Sequence, residues 1–274
     1  MSKPSLSPHH HIRYVDSHIH LDRYTDDDAA ALLERASQAG VGAFLTIGVD
    51  RASSRRAVAL AGRFGTQYGV YAAVGLHPAF LSTAGTTSID RDIEQLSILA
   101  QSSPAHIVAV GEFGLDTLDV TAALDTQLYA FATQLQLAND LGLPMVIHVQ
   151  GEQAIARAQD LYAAAPARLG AVVHYFVGDL PQARRWLDLG CHISVGRPVT
   201  RQANAGLRAA IASPALPLDR LLIETDTYPL PGRVTEPAHV VTVAAEVAAL
   251  KDLPIEQVAH QTTANFMRLF RLTA

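Results

Sequence analysis

Residues 12–20 read IRYVDSHIH, an apolar run that ends in two histidines one residue apart. The run predicts a β-strand over Ile12 to His18, and the alternation of side chains along a strand puts His18 and His20 on the same side. Two imidazoles on one rigid strand can chelate a metal ion, but strand histidines also occur as hydrogen-bonded core residues. This pair alone leaves both interpretations open, and the ends of the other strands decide between them.

Short β-rich runs recur along the chain and alternate with longer stretches of helical periodicity, which is the pattern of repeated βα units. The predicted strands are Ile12 to His18, Ala43 to Ile47, Tyr71 to Gly75, Ile107 to Glu112, Met145 to Val149, Ala171 to Tyr175, His192 to Val195 and Leu221 to Asp226. Eight strands close a parallel barrel, so the predicted fold is α/β, a TIM-type (β/α)8 barrel. A doubly wound open sheet is the alternative, but its glycine-rich nucleotide motifs are missing from the sequence.

Helical periodicity is clearest from Leu124 to Leu141, where apolar residues recur at steps of three and four. Gly142 is suited to the left-handed position that ends a helix. After the eighth strand, Val240 to Leu250 and Ile255 to Phe270 are predicted as two further helices.

The composition indicates a globular protein. Hydrophobic residues make up 49% of the 274 residues and charged residues 17%, which excludes a disordered or coiled-coil chain. We expect one domain over residues 1–274, with residues 1–11 as a flexible arm whose histidine triplet, residues 9–11, is a weak metal-binding candidate. The single cysteine, Cys191, excludes a disulfide framework and fits a reducing compartment.

Neither a secretory leader nor an apolar run long enough for a bilayer is evident, so a cytoplasmic location without a membrane partner is expected. The sequence gives no reason to expect an obligate protein partner. The net charge of −5 provides no general basic face, so nucleic acid would have to bind a local patch or bound cations.

Several apolar runs end in a residue able to bind a metal. In a parallel barrel, all carboxyl ends of the strands lie on the face where barrel active sites are built. Six such residues should converge there, namely His18, His20, Glu112, His148, His174 and Asp226. Buried imidazoles and carboxylates are costly unless they are paired or bind a metal, so the sequence predicts a metal site. The histidines at strand starts or on helical patterns are interpreted as structural: His106, His192, His239 and His260.

Seven motifs occur in a fixed order: D-S-H-I-H-L-D from Asp16, A-V-G-L-H-P from Ala73, A-V-G-E-F-G-L-D from Ala109, V-I-H-V from Val146, V-V-H-Y-F-V-G from Val172, I-S-V-G from Ile193 and I-E-T-D from Ile223. In order and spacing they resemble the TatD family of metal-dependent hydrolases, within the amidohydrolase superfamily. The resemblance covers nearly the whole chain. It implies a distorted β/α barrel with two divalent metal ions, on which the family hydrolyses phosphodiesters, usually as a DNase of the 3′-5′ exonuclease type.

The resemblance assigns His18, His20 and Asp226 to one metal, His148 and His174 to the other, and Glu112 as the bridge. Many two-metal barrel hydrolases use a carboxylated lysine as the bridge. This chain has lysines only at positions 3 and 251, outside the predicted strand ends, which leaves Glu112.

The chemistry follows from two cations about 3.5 to 4 Å apart, which can share a water and lower its pKa towards neutrality. Asp226 is predicted to accept the proton of that water as a general base. His77 follows the third strand and is predicted to donate to a substrate oxygen; a histidine bonded within its own turn is the alternative. Asp116 and Glu224 flank ligand motifs and either orient a ligand imidazole or are structural. Mixed imidazole and carboxylate ligands suit Zn, Mn, Fe, Ni or Co, and Mg where carboxylates dominate.

Three stretches at the mouth of the site depart from the family: Thr117 to Asp119, Gln150, and Thr235 to Pro237. They reduce the positive charge expected to grip phosphates. The arginines that follow strand ends are candidates to replace it: Arg23, Arg197, Arg201 and Arg233.

The leading prediction is an enzyme, a two-metal phosphodiesterase acting on single-stranded DNA ends. The alternative is hydrolysis of a carboxylic ester, lactone or amide at the same site. A barrel that keeps metals only for stability is disfavoured, because structural zinc sites are usually closed by four ligands.

Overall fold

The computed structural model describes residues 14–81, 85–232 and 234–272, in which eight strands alternate with helices. The strands are β1 (Tyr14–Ile19), β2 (Val41–Ile47), β3 (Val70–Val74), β4 (Ile107–Asp116), β5 (Met145–Gln150), β6 (Ala171–Val173), β7 (His192–Val195) and β8 (Leu221–Ile223). The helices are α1 (Asp26–Gln38), α2 (Arg51–Tyr68), α3 (Thr86–Ser102), α4 (Leu124–Leu141), α5 (Glu152–Ala164), α6 (Leu180–Asp188), α7 (Ala205–Ala212), α8 (Val240–Lys251) and α9 (Ile255–Leu269). The predictions made for the N-terminal arm, its histidine triplet and Arg233 lie outside the described residues.

The sheet is parallel, and each strand pairs with the next one in the chain. The ring is joined at its carboxyl end, where Ile19 forms a parallel bridge with Thr227. The His20 backbone N–H donates to the Thr227 carbonyl at 2.9 Å, and that of Asp226 donates to the His18 carbonyl at 3.0 Å. The predicted (β/α)8 barrel is therefore confirmed. Its closure brings Asp226, which follows β8, next to His18 of β1.

The core has two parts. One cluster of buried apolar side chains lies between the sheet and the surrounding helices, and another fills the barrel. The inner cluster includes Phe266 of α9 and Phe270, which directly follows that helix. Asn265 of the same helix donates to the carbonyl of Leu221, the first residue of β8, at 2.7 Å. Helix α9 thus covers the amino-terminal end of the barrel, opposite the histidines of the motifs.

Three strands end earlier than predicted: β3 at Val74, β6 at Val173 and β8 at Ile223. The ends predicted for β6 and β8 fail because Tyr175 (φ 46°) and Asp226 (φ 51°) have left-handed backbones that a strand cannot contain. Strand β4 instead runs on to Asp116. The limits predicted for α4 are confirmed at both ends, with Gly142 in the left-handed conformation after it. No helix in the described part of the chain has the length and apolarity needed to cross a membrane.

Candidate metal centre

Glu112 lies at the middle of a histidine cluster and is almost completely buried. Its Oε1 atom is 2.7 Å from His174 Nε2 and 3.0 Å from His148 Nδ1. Its Oε2 atom is 3.4 Å from His18 Nε2 and 3.9 Å from His20 Nε2. The two oxygens of one carboxylate therefore face two different pairs of imidazoles.

Asp226 completes the first of these groups. Its Oδ1 atom is 3.3 Å from His20 Nε2 and 3.8 Å from His18 Nε2. With 17% of its side chain exposed, Asp226 is more open than Glu112, at 4%, and it lines the cavity above the cluster. The structure thus brings all six residues predicted as ligands into one cluster.

A glycine in β4 allows the two central strands to approach each other. Gly114 pairs with His148 in the register of β4 and β5. A Cβ atom at position 114 would lie 1.7 Å from the His148 carbonyl oxygen, so no other residue fits without moving that strand. Glu112 and Asp116 lie in the same strand, two residues before and two residues after Gly114.

Asp116 holds His148 from the side away from Glu112. Its Oδ2 atom is 3.3 Å from His148 Nε2, and its Oδ1 atom accepts the backbone N–H groups of Leu118 (2.8 Å) and Asp119 (3.0 Å). Burial tends to raise the pKa of Asp116, but His148 and these N–H groups outweigh it and lower the pKa to about 2. An ionised Asp116 orients the imidazole with Nδ1 towards the cluster.

Glu224 has the corresponding position beside His174. Its Oε1 atom is 3.5 Å from His174 Nδ1 and accepts the backbone N–H of Tyr175 at 2.6 Å. Its Oε2 atom accepts from the Ser194 hydroxyl at 2.5 Å. Of the two alternatives open from the sequence, the contacts of both Asp116 and Glu224 favour a positioning role.

The cluster holds strongly perturbed charges. Burial tends to raise the pKa of Glu112, but the surrounding histidines, His174 first, hold it well below its usual range. Burial tends to lower the pKa of His174, and Glu112 and Glu224 outweigh it and raise that pKa well above its usual value. The pKa of His18 is lowered, mainly by burial and then by His174. Glu112 is therefore ionised at neutral pH, and His18 is in the neutral form that binds metals.

The residues present fit divalent metal ions. Among the described residues, several deeply buried ring nitrogens of the cluster lack a hydrogen-bond partner: both of His18, Nδ1 of His20 and Nδ1 of His174. Buried polar atoms without a partner are costly, and a bound cation would satisfy those that point into the cluster. Two potential ligand groups share Glu112, one with His18 and His20 and the other with His77 and His148.

His77 is bonded within its own turn and also faces the site, while its donation to a substrate oxygen stays a prediction. Its Nδ1 atom accepts the backbone N–H of Ala79 at 3.1 Å, which is a bond within its own turn. Its Nε2 atom is 3.4 Å from Glu112 Oε1. The turn therefore fixes the ring with Nε2 directed into the site.

A cavity of about 590 Å³ opens above the cluster. Among the described residues, Arg23 is the only arginine or lysine that lines it; Arg197 and Arg201 do not. The residues that depart from the family are used in local contacts, since Gln150 donates to Asp119 at 2.5 Å and Glu236 forms a bidentate pair with Arg35.

Sequence reasoning missed the apolar and aromatic residues of this cavity: Phe80, Leu118, Tyr175, Val177 and Tyr228. The available signal was their position, because all of them follow strand ends that carry predicted ligands or His77.

A parallel barrel with histidines and carboxylates gathered at its carboxyl end defines the class of metal-dependent barrel hydrolases. The family model described as TatD related DNase matches residues 15–271. The chain therefore belongs to the TatD family of metal-dependent hydrolases, as its motifs predicted.

Individual relatives match along almost their whole length. The uncharacterized metal-dependent hydrolase YabD of Bacillus subtilis is 33% identical, with 94% of this chain and 98% of YabD covered. YjjV of Escherichia coli K12, also described as an uncharacterized metal-dependent hydrolase, is 34% identical, with 95% and 98% covered. The crystal structure of YjjV superposes with a TM-score of 0.85 over 96% of this chain and 99% of that one, at 32% identity. A 3′-5′ ssDNA/RNA exonuclease, TatD of Erwinia billingiae, is 31% identical, with 90% and 94% covered.

Proposed function

We propose that the protein is a two-metal phosphodiesterase that removes nucleotides from the ends of single-stranded DNA. The observation that carries the two-metal part is the position of Glu112, whose oxygens face His18 and His20 on one side and His148 and His174 on the other. The substrate part is supported by the relative from Erwinia billingiae, which is named as an exonuclease on single-stranded DNA and RNA.

Six residues would hold the metals. In the proposal, His18, His20 and Asp226 bind one ion, His148 and His174 bind the other, and Glu112 binds both. Divalent ions bound there lower the pKa of a water and neutralise charge on the phosphoryl oxygens. The mixed nitrogen and oxygen ligands are compatible with Zn, Mn, Fe, Ni, Co or Mg.

Two further tasks fall to side chains that line the cavity. Asp226 accepts the proton of the attacking water, because its carboxylate is ionised and is partly open to the cavity. Burial tends to raise its pKa, and His20 and His18 outweigh this and lower it. His77, fixed through Nδ1, presents Nε2 to a substrate oxygen.

Single strands and free ends fit the cavity better than the middle of a duplex does. A base that is stacked and paired has to be extracted before its phosphate reaches a buried centre, and this costs a few kcal/mol. A terminal nucleotide of a single strand is already free to move. The single arginine that lines the cavity among the described residues favours weak, salt-sensitive binding.

The test compares metal-loaded protein with its Asp226→Asn variant on end-labelled single strands, duplexes and closed single-stranded circles, over a range of salt. We expect release of terminal nucleotides, fastest from single strands and slower at high salt. Cleavage of circles as fast as linear strands would exclude the requirement for ends.

Hydrolysis of an ester or a lactone is the second candidate, favoured by the apolar side chains around the cavity. An aryl ester and a lactone therefore belong in the same assay. Rapid turnover of either, with no cleavage of DNA, would replace the phosphodiesterase proposal.

A further inference from the structure

Exposed apolar side chains are concentrated at the cavity above the candidate metal centre. In the described ranges, seven large apolar side chains are exposed, and four of them line this cavity: Phe80, Leu118, Val177 and Tyr228. They follow four different strands, β3, β4, β6 and β8. The entrance is therefore apolar on several sides, although the cluster below it is highly polar. Exposed apolar surface of this kind marks a binding site.

Phe80 is one of two exposed aromatic side chains of this group that lie beside a histidine of the centre, the other being Tyr228, whose ring centroid is 6.1 Å from that of His20. Phe80 ends the short helix Pro78–Phe80 after β3, and 44% of its surface is exposed. Its ring centroid is 6.3 Å from that of His77, whose Nε2 atom is directed at Glu112. An exposed aromatic ring thus lies one side chain away from the proposed reaction centre.

Arg23 packs against the ring of Phe80 and helps to hold it at the cavity. Its guanidinium carbon is 5.5 Å from the centroid of the Phe80 ring, within the range of a cation–π contact. Its Nε atom is also 3.6 Å from Asp22 Oδ2. The ring is supported by a cation, and the same cation is the one arginine lining the cavity within the described residues.

We propose that Phe80, supported by Arg23, is the platform on which the nucleobase of the reacting nucleotide stacks. This rests on the proposed phosphodiesterase function and specifies how the site recognises its substrate. Aromatic side chains bind bases of every kind, because each base has a π face, and one stacked base contributes substantially to affinity. An aromatic ring paired with a cation suits a planar base carrying a phosphate better than it suits an aliphatic acyl chain. The terminal nucleotide is therefore recognised through its base as well as through its phosphate.

The test uses two phosphodiesters with the same scissile bond, thymidine 5′-(p-nitrophenyl phosphate) and its analogue without the base, 2-deoxyribose 5-(p-nitrophenyl phosphate). In both, the oxygen of water bonds to phosphorus, the bond to p-nitrophenolate breaks, and the sugar 5′-phosphate is the second product. With wild-type protein we expect the base to lower KM about five-fold or more, the smaller end of what one stacked base contributes, with kcat nearly unchanged.

Three variants locate the effect. Phe80→Ala should remove the difference in KM between the two substrates, and Phe80→Trp should retain it. Ile98→Ala is the matched control, because Ile98 is exposed on α3 at 52% and does not line the cavity. It should behave like wild type. A base preference that survives in Phe80→Ala would overturn the assignment of this residue.

Binding supplies a readout besides turnover. Calorimetric titration of metal-loaded protein should show tighter binding of thymidine 5′-monophosphate than of 2-deoxyribose 5-phosphate, and Phe80→Ala should abolish that preference. Equal affinities together with equal KM values would overturn the stacking platform while leaving the phosphodiesterase intact. Hydrolysis of neither phosphodiester, beside rapid hydrolysis of an aryl ester, would overturn the proposed function itself and the platform with it.

Discussion

His174, which directly follows β6, and His192, the first residue of the neighbouring strand β7, show that the environment of a histidine differs between the two ends of the barrel. Val172 of β6 pairs with His192, the first residue of β7, and His174 lies two residues further along towards the carboxyl end. His174 contacts Glu112 and Glu224, which raise its pKa well above the usual value. Burial, then Arg220 and Arg268, lower the pKa of His192 to about 4.

The difference teaches that the position along a strand, more than the residue type, decides the chemistry of a histidine in this fold. At the carboxyl end, loops and strand extensions supply carboxylates and leave a cavity open. At the amino end, α9 covers the barrel with apolar side chains such as Phe266 and Leu269. A histidine is therefore a candidate ligand at one end and a buried neutral group at the other.

The largest effect is expected from removing the carboxylate of Glu112, which lies between the histidines at the carboxyl end. Glu112→Gln should lower the metal content from two ions to one or fewer per chain and abolish turnover. A neutral amide no longer offsets the repulsion between two cations. Elemental analysis of purified protein measures this, with Glu94→Gln, an exposed glutamate of α3, as the matched control. Two tightly held metals with normal turnover would show that Glu112 is not the bridge.

Asp226→Asn should leave the metal content close to that of wild type but lower kcat by about 10² to 10⁴, the usual contribution of a general base. The amide can still occupy the position beside His20 but cannot accept a proton. Single-turnover kinetics on a phosphodiester measures the loss. Asp140→Asn, at an exposed position in α4, is the control. Activity within a few-fold of wild type at unchanged metal content would remove Asp226 from this role.

Much of the carboxyl end could be predicted from the sequence, because strand alternation and strand ends are local patterns. His18 and His20 share a side by periodicity alone, and the parallel barrel then brings the predicted ligands of the other strands to them. The left-handed backbone of Asp226 has no such signal, because glycine is the residue that indicates this conformation in a sequence and position 226 is an aspartate.

Contacts between distant parts of the chain could not be predicted. Gln134 of α4 both accepts from the Leu76 backbone N–H and donates to its carbonyl, at 2.7 and 3.0 Å, and a helical pattern cannot show this. The role of Gly114 depends on a strand that approaches it from 34 residues further along. The apolar side chains around the cavity likewise belong to loops, whose geometry periodicity does not determine.

The amino end should respond to pH through His192. With a pKa of about 4 in the folded protein and about 6.5 when unfolded, His192 is neutral in both states above pH 6.5. As the pH falls from 6.5 to 4, the unfolded chain takes up a proton that the folded chain does not, so stability is lost. The loss amounts to about 3 kcal/mol at most.

Urea unfolding of metal-free protein at pH 7 and pH 4.5 measures how much free energy of unfolding is lost as the pH falls. His192→Gln should lose less stability than wild type over that interval, whereas His260→Gln, at an exposed position on α9, should follow wild type. Parallel loss of stability in all three proteins would mean that the protonation of His192 does not contribute to this pH dependence.

The smallest effect is expected from replacing Asp116, the carboxylate that orients His148 at the carboxyl end of the barrel. The ionised Asp116, whose Oδ2 atom is 3.3 Å from His148 Nε2, favours the tautomer that donates from Nε2, which would leave the Nδ1 lone pair for a metal ion. Asp116→Asn places an amide there, and an N–H presented to Nε2 would favour the tautomer with its proton on Nδ1. We expect metal affinity to fall about 10- to 100-fold, as for other partners of ligand histidines, with the stability of metal-free protein little changed.

Competition with a chelator measures the affinity, and Asp119→Asn is the control, because Asp119 lies in the same loop but bonds to Gln150. Equal metal affinities in wild type and both variants would show that Asp116 only braces its own loop through Leu118 and Asp119.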